Sequence, residues 1–178
     1  MTFNKGWRFA ELHMPNVRSE LGELPMKHFI DIETAIAKRD MEEATDLVIT
    51  TSGVDIAVRI RRNKFYKKAS IFGYDLSIRA VNKGYKTEID KLIGGFGDYY
   101  FYGYSDDDNG TIAACCVIDI NKMRQCGILE REYPIYPNGD GTSGMYIPIT
   151  EIRNEGCIIH EKDLDTDKDW TNKRSKTP

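Results

Sequence analysis

The residues with the clearest chemical character form a basic, aromatic segment near the middle of the chain. Cationic side chains are concentrated there, and Phe65 and Tyr66 lie among them. Cationic groups contact phosphates and aromatic rings stack on bases, so this combination is typical of nucleic-acid binding. The expected phosphate contacts are Arg59, Arg61, Arg62, Lys64 and Lys67. A basic connection between strands that is only solvated has the same composition, and that alternative stays open.

The overall composition limits how such a segment can act. The chain has 178 residues and a formal net charge of -3 at pH 7, which argues against indiscriminate coating of nucleic acid but allows a local basic site. Hydrophobic residues make up 40% and charged residues 30%, as in a soluble globular domain with its own core. Since neither a signal peptide nor an apolar run of membrane length is recognised, we expect a cytoplasmic protein without membrane association.

The four cysteines do not have the spacing of a disulfide framework. Cys115 and Cys116 are adjacent on an apolar run predicted to be a strand, so they point to opposite faces and cannot bridge one another. Cys126, Cys157 and His160 fall short of four zinc ligands at a recognisable spacing. Buried structural cysteines in a reducing compartment are therefore the simpler interpretation.

Hydrophobic periodicity predicts an α+β fold, a single domain with a central mixed β-sheet and flanking helices. Apolar residues at helical spacing predict a helix over about Met26–Met41, which carries Glu33. A second, short helix near Lys86–Ile93 begins at Thr87, a plausible N-cap. The predicted strands, of which the first two and the last two form antiparallel pairs, are Asp46–Thr51, Val54–Arg62, Tyr74–Val81, Asp98–Ser105 and Thr111–Ile120.

The segments outside this set complete the predicted organisation. The N-terminal stretch has no clear period and contains Pro15, so we expect an arm there rather than a helix. Met145–Ile149 and Cys157–His160 are predicted edge strands that follow a loop rich in proline and glycine. The predicted divisions are an arm at residues 1–25, a core at 26–162 and a flexible polar tail at 163–178.

The order helix, three strands, helix, strand between Phe29 and Ile120 resembles the core of the PD-(D/E)XK nuclease-like superfamily. In that superfamily an acid on the first helix, an Asp that opens the second strand and a Glu-x-Lys on the third bind a divalent metal and activate water. Glu33 matches the helix acid and Asp55 matches the strand-opening Asp. The third strand reads Ser77-Ile78-Arg79 where Glu-x-Lys is expected.

This departure from the superfamily pattern has chemical consequences. Mg²⁺ prefers carboxylate oxygens, and the hydroxyl of Ser77 is a poor replacement. Asp75 precedes Ser77 by two residues on the same strand face, and Glu88 with Lys91 on the next helix offers a second replacement. Arginine stabilises developing charge but does not act as a base. The catalytic residues implied by the resemblance are Glu33, Asp55, Asp75, Arg79, Glu88 and Lys91, with Mg²⁺ held by the first three.

Two functions from different classes follow. The first is a metal-dependent nuclease or a degenerate nucleic-acid-binding relative of one. The second is a non-enzymatic phage or mobile-element accessory protein that binds a host protein, which the missing Glu and Lys, the short chain and the negative net charge favour. The partner is nucleic acid in the first case and a protein in the second. Convergence of the Glu33, Asp55 and Asp75 carboxylates in one concave site would favour the enzyme.

Overall fold

Strand-forming residues build two β-sheets, whose strands are numbered β1 to β9 along the chain. The computed structural model describes residues 3–22, 32–34, 47–49, 54–66, 73–82, 84–106, 110–139 and 141–164. The larger sheet contains, in order across it, β1 (Ile32–Thr34), β2 (Leu47–Ile49), β3 (Val54–Arg61), β5 (Tyr99–Ser105), β6 (Ile112–Asp119) and β9 (Ile158–Lys162). The smaller, antiparallel sheet contains β4 (Asp75–Val81), β8 (Ser143–Pro148) and β7 (Ile135–Pro137) in that order.

Helical segments connect or cover these strands. They are α1 (Phe3–Gly22), α2 (Glu88–Ile93), α3 (Ile120–Gln125), α4 (Ile149–Asn154) and a 3₁₀ turn at Ile128–Glu130. The mixture of helices with a mixed sheet and an antiparallel sheet confirms the predicted α+β class. Of the helices within the described ranges, none combines the length and the apolar character needed to cross a membrane.

The path of the chain between β3 and β5 determines where the functional groups lie. These two strands are parallel, with Ile56 opposite Tyr99 and Arg61 opposite Tyr104, so the chain must cross back over the sheet between them. The crossover contains β4 and α2, and β4 pairs with β8 outside the large sheet. The strand expected to carry the third metal-binding motif therefore lies above the large sheet instead of within it.

The large sheet buries a separate hydrophobic cluster on each face. On the face covered by the small sheet, called here the tyrosine face, Tyr100, Tyr102 and Tyr104 are buried with Leu76 and Ile78 of β4. On the opposite face, called here the α1 face, Phe101 and Val117 pack with Val17 and Leu21 of the first helix. Cys116 belongs to the tyrosine face and Cys115 to the α1 face, which confirms that the adjacent cysteines point apart.

The predicted helix over Met26–Met41 is wrong where it can be compared. Ile32–Thr34, which includes Glu33, is a strand that pairs with β2 in antiparallel register, and the rest of that range lies outside the described residues. Three apolar residues at helical spacing were a weak signal. Pairing with a neighbouring strand supplies backbone hydrogen bonds that no local periodicity reveals.

The expectation that Pro15 excludes a helix near the N-terminus is also wrong, because Pro15 lies inside α1. An internal proline costs a helix about 3 kcal/mol. Val17 and Leu21 are fully buried on the sheet, and each such burial contributes about 1.5–3 kcal/mol, so tertiary packing outweighs the local cost. The tail predicted beyond Asp163 lies outside the described residues from position 165 onward.

The C-terminal strands agree only in part with the expectation. The strand over Ile158–Lys162 does form an edge of the large sheet beside β6. The strand over Ser143–Pro148 is the centre of the small sheet, because the predicted loop before it contains the edge strand β7. The two predicted antiparallel pairs, β2 with β3 and β5 with β6, are both confirmed.

Candidate functional site

The start of α2 is fixed by a reciprocal capping arrangement. The Thr87 hydroxyl accepts a hydrogen bond from the Asp90 backbone N–H at 3.2 Å, and the Asp90 carboxylate accepts one from the Thr87 backbone N–H at 2.8 Å. This capping box satisfies two backbone donors at the helix end. The predicted role of Thr87 as N-cap is thus confirmed, and the cap fixes the position of Glu88, the first residue of the helix.

The Glu88 carboxylate lies between the small sheet and β3, where three donors surround it. Its Oε2 atom accepts from Arg59 Nη1 at 2.6 Å and from the Arg79 backbone N–H at 3.0 Å. Its Oε1 atom accepts from the Tyr100 hydroxyl. The side chains of Arg59 and Glu88 are 27% and 19% exposed, so water contributes little to this set. We call these four residues the Glu88 network.

The charges of the Glu88 network stabilise one another. Burial alone would raise the pKa of Glu88, but the Arg59 guanidinium, the Arg79 N–H and the Tyr100 hydroxyl together lower it. Burial, followed by the Glu88 charge, raises the pKa of the Tyr100 hydroxyl well above its usual value. The carboxylate is therefore ionised and the hydroxyl protonated at neutral pH, which is the state of a donor held on an acceptor.

Three further cations of the basic segment, within the part of it that the structure describes, lie against aromatic rings. The Arg61 guanidinium carbon lies 4.0 Å from the centroid of the Phe65 ring, and Lys64 Nζ lies 4.9 Å from the same centroid. The Arg62 guanidinium carbon lies 4.7 Å from the centroid of Phe9 in α1. Such contacts contribute about 0.5–1 kcal/mol each at exposed sites and orient the cations.

The aromatic rings of the basic segment do not provide the stacking surface that the sequence suggested. Phe65 and Tyr66 are partly buried against the core of the tyrosine face, and the Tyr66 ring lies 6.4 Å from Tyr104, centroid to centroid. Arg62 and Lys64 are exposed. The segment thus presents cations more than rings, while the fifth predicted contact, Lys67, lies outside the described residues.

Two of the three predicted metal ligands occupy one row of the large sheet. Glu33 is in register with Val48, and Val48 is in register with Asp55. Two strand spacings put the Cα atoms of these two acidic residues about 10 Å apart across the sheet. A further acid, Asp98, adjoins Asp55, whose backbone N–H donates to Asp98 Oδ2 at 2.9 Å. Asp98 Oδ1 accepts from the Asn121 side chain at 3.1 Å.

The structure does not bring Asp75 to that row. Asp55 lies at the start of β3, and Arg61 ends the strand six residues later, a span of roughly 20 Å. Asp75 lies near the Arg61 end, because the Tyr104 hydroxyl donates to the Asp75 carbonyl at 2.9 Å and Tyr104 is the β5 partner of Arg61. Ligands of one Mg²⁺ ion lie about 2.0–2.1 Å from it, so Asp55 and Asp75 do not share an ion in this arrangement.

The other predicted catalytic residues divide between the Glu88 network and its surroundings. Arg79 supplies its backbone N–H to Glu88 and keeps an exposed side chain. Lys91 lies on α2 one turn beyond Glu88. Tyr100, which is not among the predicted site residues, donates to Glu88 through its hydroxyl. Alternation along β5 places Tyr100 on the same face as Arg59, but the sequence does not show that α2 closes over both.

Comparison of the chain with protein-family models and with curated proteins found no match. The geometry of the site is therefore the basis for inferring what the protein does.

Proposed function

We propose that this is a cytoplasmic nucleic-acid-binding protein that does not cleave its ligand, in the manner of a degenerate relative of the PD-(D/E)XK nucleases. The observation that supports this proposal is that both oxygens of the Glu88 carboxylate are engaged, Oε2 by Arg59 and the Arg79 N–H and Oε1 by the Tyr100 hydroxyl. A metal ion would have to displace Arg59 and leave a half-buried guanidinium without its partner, which is costly. The separation of Asp55 from Asp75 also argues against a shared ion.

The exposed cations supply the proposed binding surface. Arg62 immediately precedes the helical turn at residues 63–66 and Lys64 lies within that turn, and both are exposed. The side chain of Arg79 is exposed on β4, while its backbone N–H belongs to the Glu88 network. Arg61 is oriented by Phe65 at the end of β3. Cations contact the sugar–phosphate backbone irrespective of sequence. Because the neighbouring rings pack on the core, we propose binding with little base preference.

Salt dependence of binding tests this proposal. Each phosphate neutralised steepens the plot of log affinity against log salt by about 0.7 to 0.9. The double variant Arg62→Ala, Lys64→Ala should flatten the slope by nearly two such increments on single-stranded and duplex probes. The control Arg18→Ala, Lys122→Ala removes the same charge from two exposed positions elsewhere and should leave the slope nearly unchanged.

Two results would contradict the proposal. Equal slopes for the two double variants would show that binding follows net charge and not this surface. Cleavage of either probe in Mg²⁺ or Mn²⁺, abolished by Asp55→Asn, would show that the protein is an enzyme whose site includes the acidic row. The substitution keeps the size of the side chain but removes the charge that a divalent ion requires.

A second candidate function, binding of a host protein, is favoured by the edge of the small sheet. All three residues of β7 are exposed, with Ile135 at 51% and Tyr136 at 40%. Exposed apolar side chains on an edge strand offer contacts to a strand of a partner protein. If this is the function, Ile135→Lys abolishes recovery of a stoichiometric protein partner, and the unmodified chain binds neither nucleic-acid probe.

A further inference from the structure

Three side chains with metal-binding atoms meet on the α1 face of the large sheet. They are Glu20 of α1, Cys115 of β6 and His160 of β9, and one ligand atom from each lies within 4.8 Å of the others. The pairing of β6 with β9 places Val117 opposite His160 and Cys115 opposite Lys162. Two adjacent strands and the helix above them therefore supply one group each, far from the Glu88 network.

Two polar atoms of these side chains are buried without a hydrogen-bond partner within the part of the chain that the structure describes. Glu20 Oε2 and His160 Nε2 have none among the described residues, and Glu20 as a whole is only 9% exposed. Leaving a buried polar atom unsatisfied costs about 1–3 kcal/mol, and more for a charged group. Native proteins rarely keep such atoms except where an ion or a water molecule satisfies them.

We propose that Glu20, Cys115 and His160 bind a zinc ion. Thiolate, imidazole and carboxylate are the three ligand types that proteins use for zinc, and three protein ligands with a water molecule complete a tetrahedron. A thiolate ligand disfavours Mg²⁺ and Ca²⁺, which require oxygen ligands. Ligand atoms in a tetrahedral zinc site lie about 3.3–3.8 Å apart, so contraction of the cluster by roughly 1 Å forms the site.

Lys162 positions the carboxylate of this site. Its Nζ atom lies 2.5 Å from Glu20 Oε1, which leaves Oε2 as the atom directed to the metal. A group that hydrogen-bonds to the carboxylate oxygen not bound to the metal orients the ligand and changes the affinity for the metal. On binding, Zn²⁺ forms bonds to Oε2, Nε2 and the Cys115 sulfur, and the proton of the Cys115 thiol passes to solvent. The ion thereby ties α1 to β6 and β9.

Titration of the full, metal-free chain with Co²⁺ tests the proposal, since Co²⁺ substitutes for zinc and reports thiolate ligation by a charge-transfer absorption band. We expect one equivalent of Co²⁺ to produce the band and one equivalent of Zn²⁺ to remove it. Cys115→Ser should abolish the band. Lys162→Met should lower the affinity for Co²⁺ by about 10–100-fold. Glu20→Gln and His160→Gln each remove a ligand and should lower it further.

Two control variants distinguish this site from the other thiols. Cys116→Ser changes the adjacent residue on the opposite face and should retain the band. Cys126→Ser should retain it too, although Cys126 Sγ lies 3.7 Å from Cys157 Sγ and the pair is a competing thiol site. A band lost in Cys126→Ser but kept in Cys115→Ser would overturn the proposal, as would a metal-free chain that takes up neither ion.

A folding control keeps the test decisive. Circular dichroism of each metal-free variant shows whether the substitution at the fully buried Cys115 leaves the fold intact. If it does not, His160→Gln decides the question, because His160 is partly exposed at the sheet edge. Undiminished Co²⁺ affinity in a folded His160→Gln variant would exclude the proposed ligand set.

Discussion

The two faces of the large sheet differ in whether their buried polar groups have hydrogen-bond partners. Strand β6 contributes a cysteine to each face. On the tyrosine face, the Glu88 carboxylate receives three donors, and the hydroxyls of Tyr102 and Tyr104 contact backbone groups of β4. On the α1 face, Glu20 and His160 each keep a buried atom without a partner among the residues described. The buried polar groups of the first face have partners, whereas the second face leaves two buried ligand atoms unsatisfied even though Lys162 is paired with Glu20.

This difference separates a structural network from a ligand site. A carboxylate with both oxygens engaged by donors of the protein stabilises the fold and orients its arginine, and a metal ion must compete with those donors for it. A carboxylate and an imidazole with free atoms beside a thiol have capacity for a metal. Glu88, one of the acids that the nuclease resemblance suggested as a catalytic residue, already has donors on both oxygens. The proposed metal ligands lie on the α1 face, and the resemblance assigns none of them a role.

The largest expected effect of a single substitution is that of Glu88→Ala on the tyrosine face. The substitution removes the partner of a half-buried arginine and the acceptor of the Tyr100 hydroxyl, so we expect a loss of about 2–4 kcal/mol in the free energy of unfolding. Urea unfolding measures it. Glu155→Ala is the control, because it removes an ion pair with Arg131 in which both side chains are more than a third exposed, so water screens the pair and its loss should cost much less.

An equal loss of unfolding free energy in Glu88→Ala and Glu155→Ala would contradict this prediction, since it would mean that the Glu88 network stabilises the fold no more than an exposed ion pair does. Arg59→Ala in the Glu88→Ala background then measures the coupling. If the pair is real, the double variant should lose less than the sum of the two single losses.

The next effect concerns the α1 face and rests on the proposed zinc site. Zinc at about 100 times its dissociation constant should stabilise the protein by about 2.7 kcal/mol. Hydrogen exchange should slow in the second half of α1 and in β9, which the ion joins, and much less in α2. Cys115→Ser should show neither change. Equal slowing of exchange on both faces would mean that zinc acts elsewhere.

Alternation and capping made part of this structure predictable from the sequence. Opposite orientations of Cys115 and Cys116 follow from the two-residue period of a strand, and the start of α2 follows from the preference of threonine for the N-cap. The β2–β3 and β5–β6 pairs follow from turn residues between apolar runs. Each of these features depends on residues close together in the chain.

The rest depends on contacts between distant residues. Burial of Val17 and Leu21 stabilises a helix through Pro15, and pairing with β2 makes a strand of the segment that holds Glu33. The Glu88 network requires β4 to leave the large sheet, which strand propensity does not encode. No spacing rule joins Glu20, Cys115 and His160 either, because the site forms only when three elements that are far apart in the sequence, α1, β6 and β9, come together.

The pH dependence of stability gives a smaller effect on the tyrosine face. Folding lowers the pKa of Glu88 below its ordinary value of 4.5, so its contribution to stability is present above pH 4.5 and is lost as the pH falls through the lower, folded pKa. Glu88→Gln lacks this contribution. We expect the difference in unfolding free energy between the two proteins to be constant near neutrality and to narrow below pH 4.5. If this difference in unfolding free energy instead widens as the pH falls, Glu88 is not ionised in the folded protein.

The smallest effect is on thiol reactivity and requires no change in stability. Burial, together with the hydrogen bond to Cys126, raises the pKa of Cys157 to about 12, and burial raises that of Cys116 well above its usual value. Because the thiolate is the reactive form, both should resist alkylation of the native protein at pH 8, whereas the partly exposed Cys126 should react first. Peptide mass spectrometry after timed iodoacetamide labelling measures the order. Zinc should slow alkylation of Cys115 further and leave the alkylation rate of Cys126 unchanged. If zinc instead slows alkylation of Cys126, the metal binds at the Cys126–Cys157 pair, and the proposed distinction between the two faces does not hold.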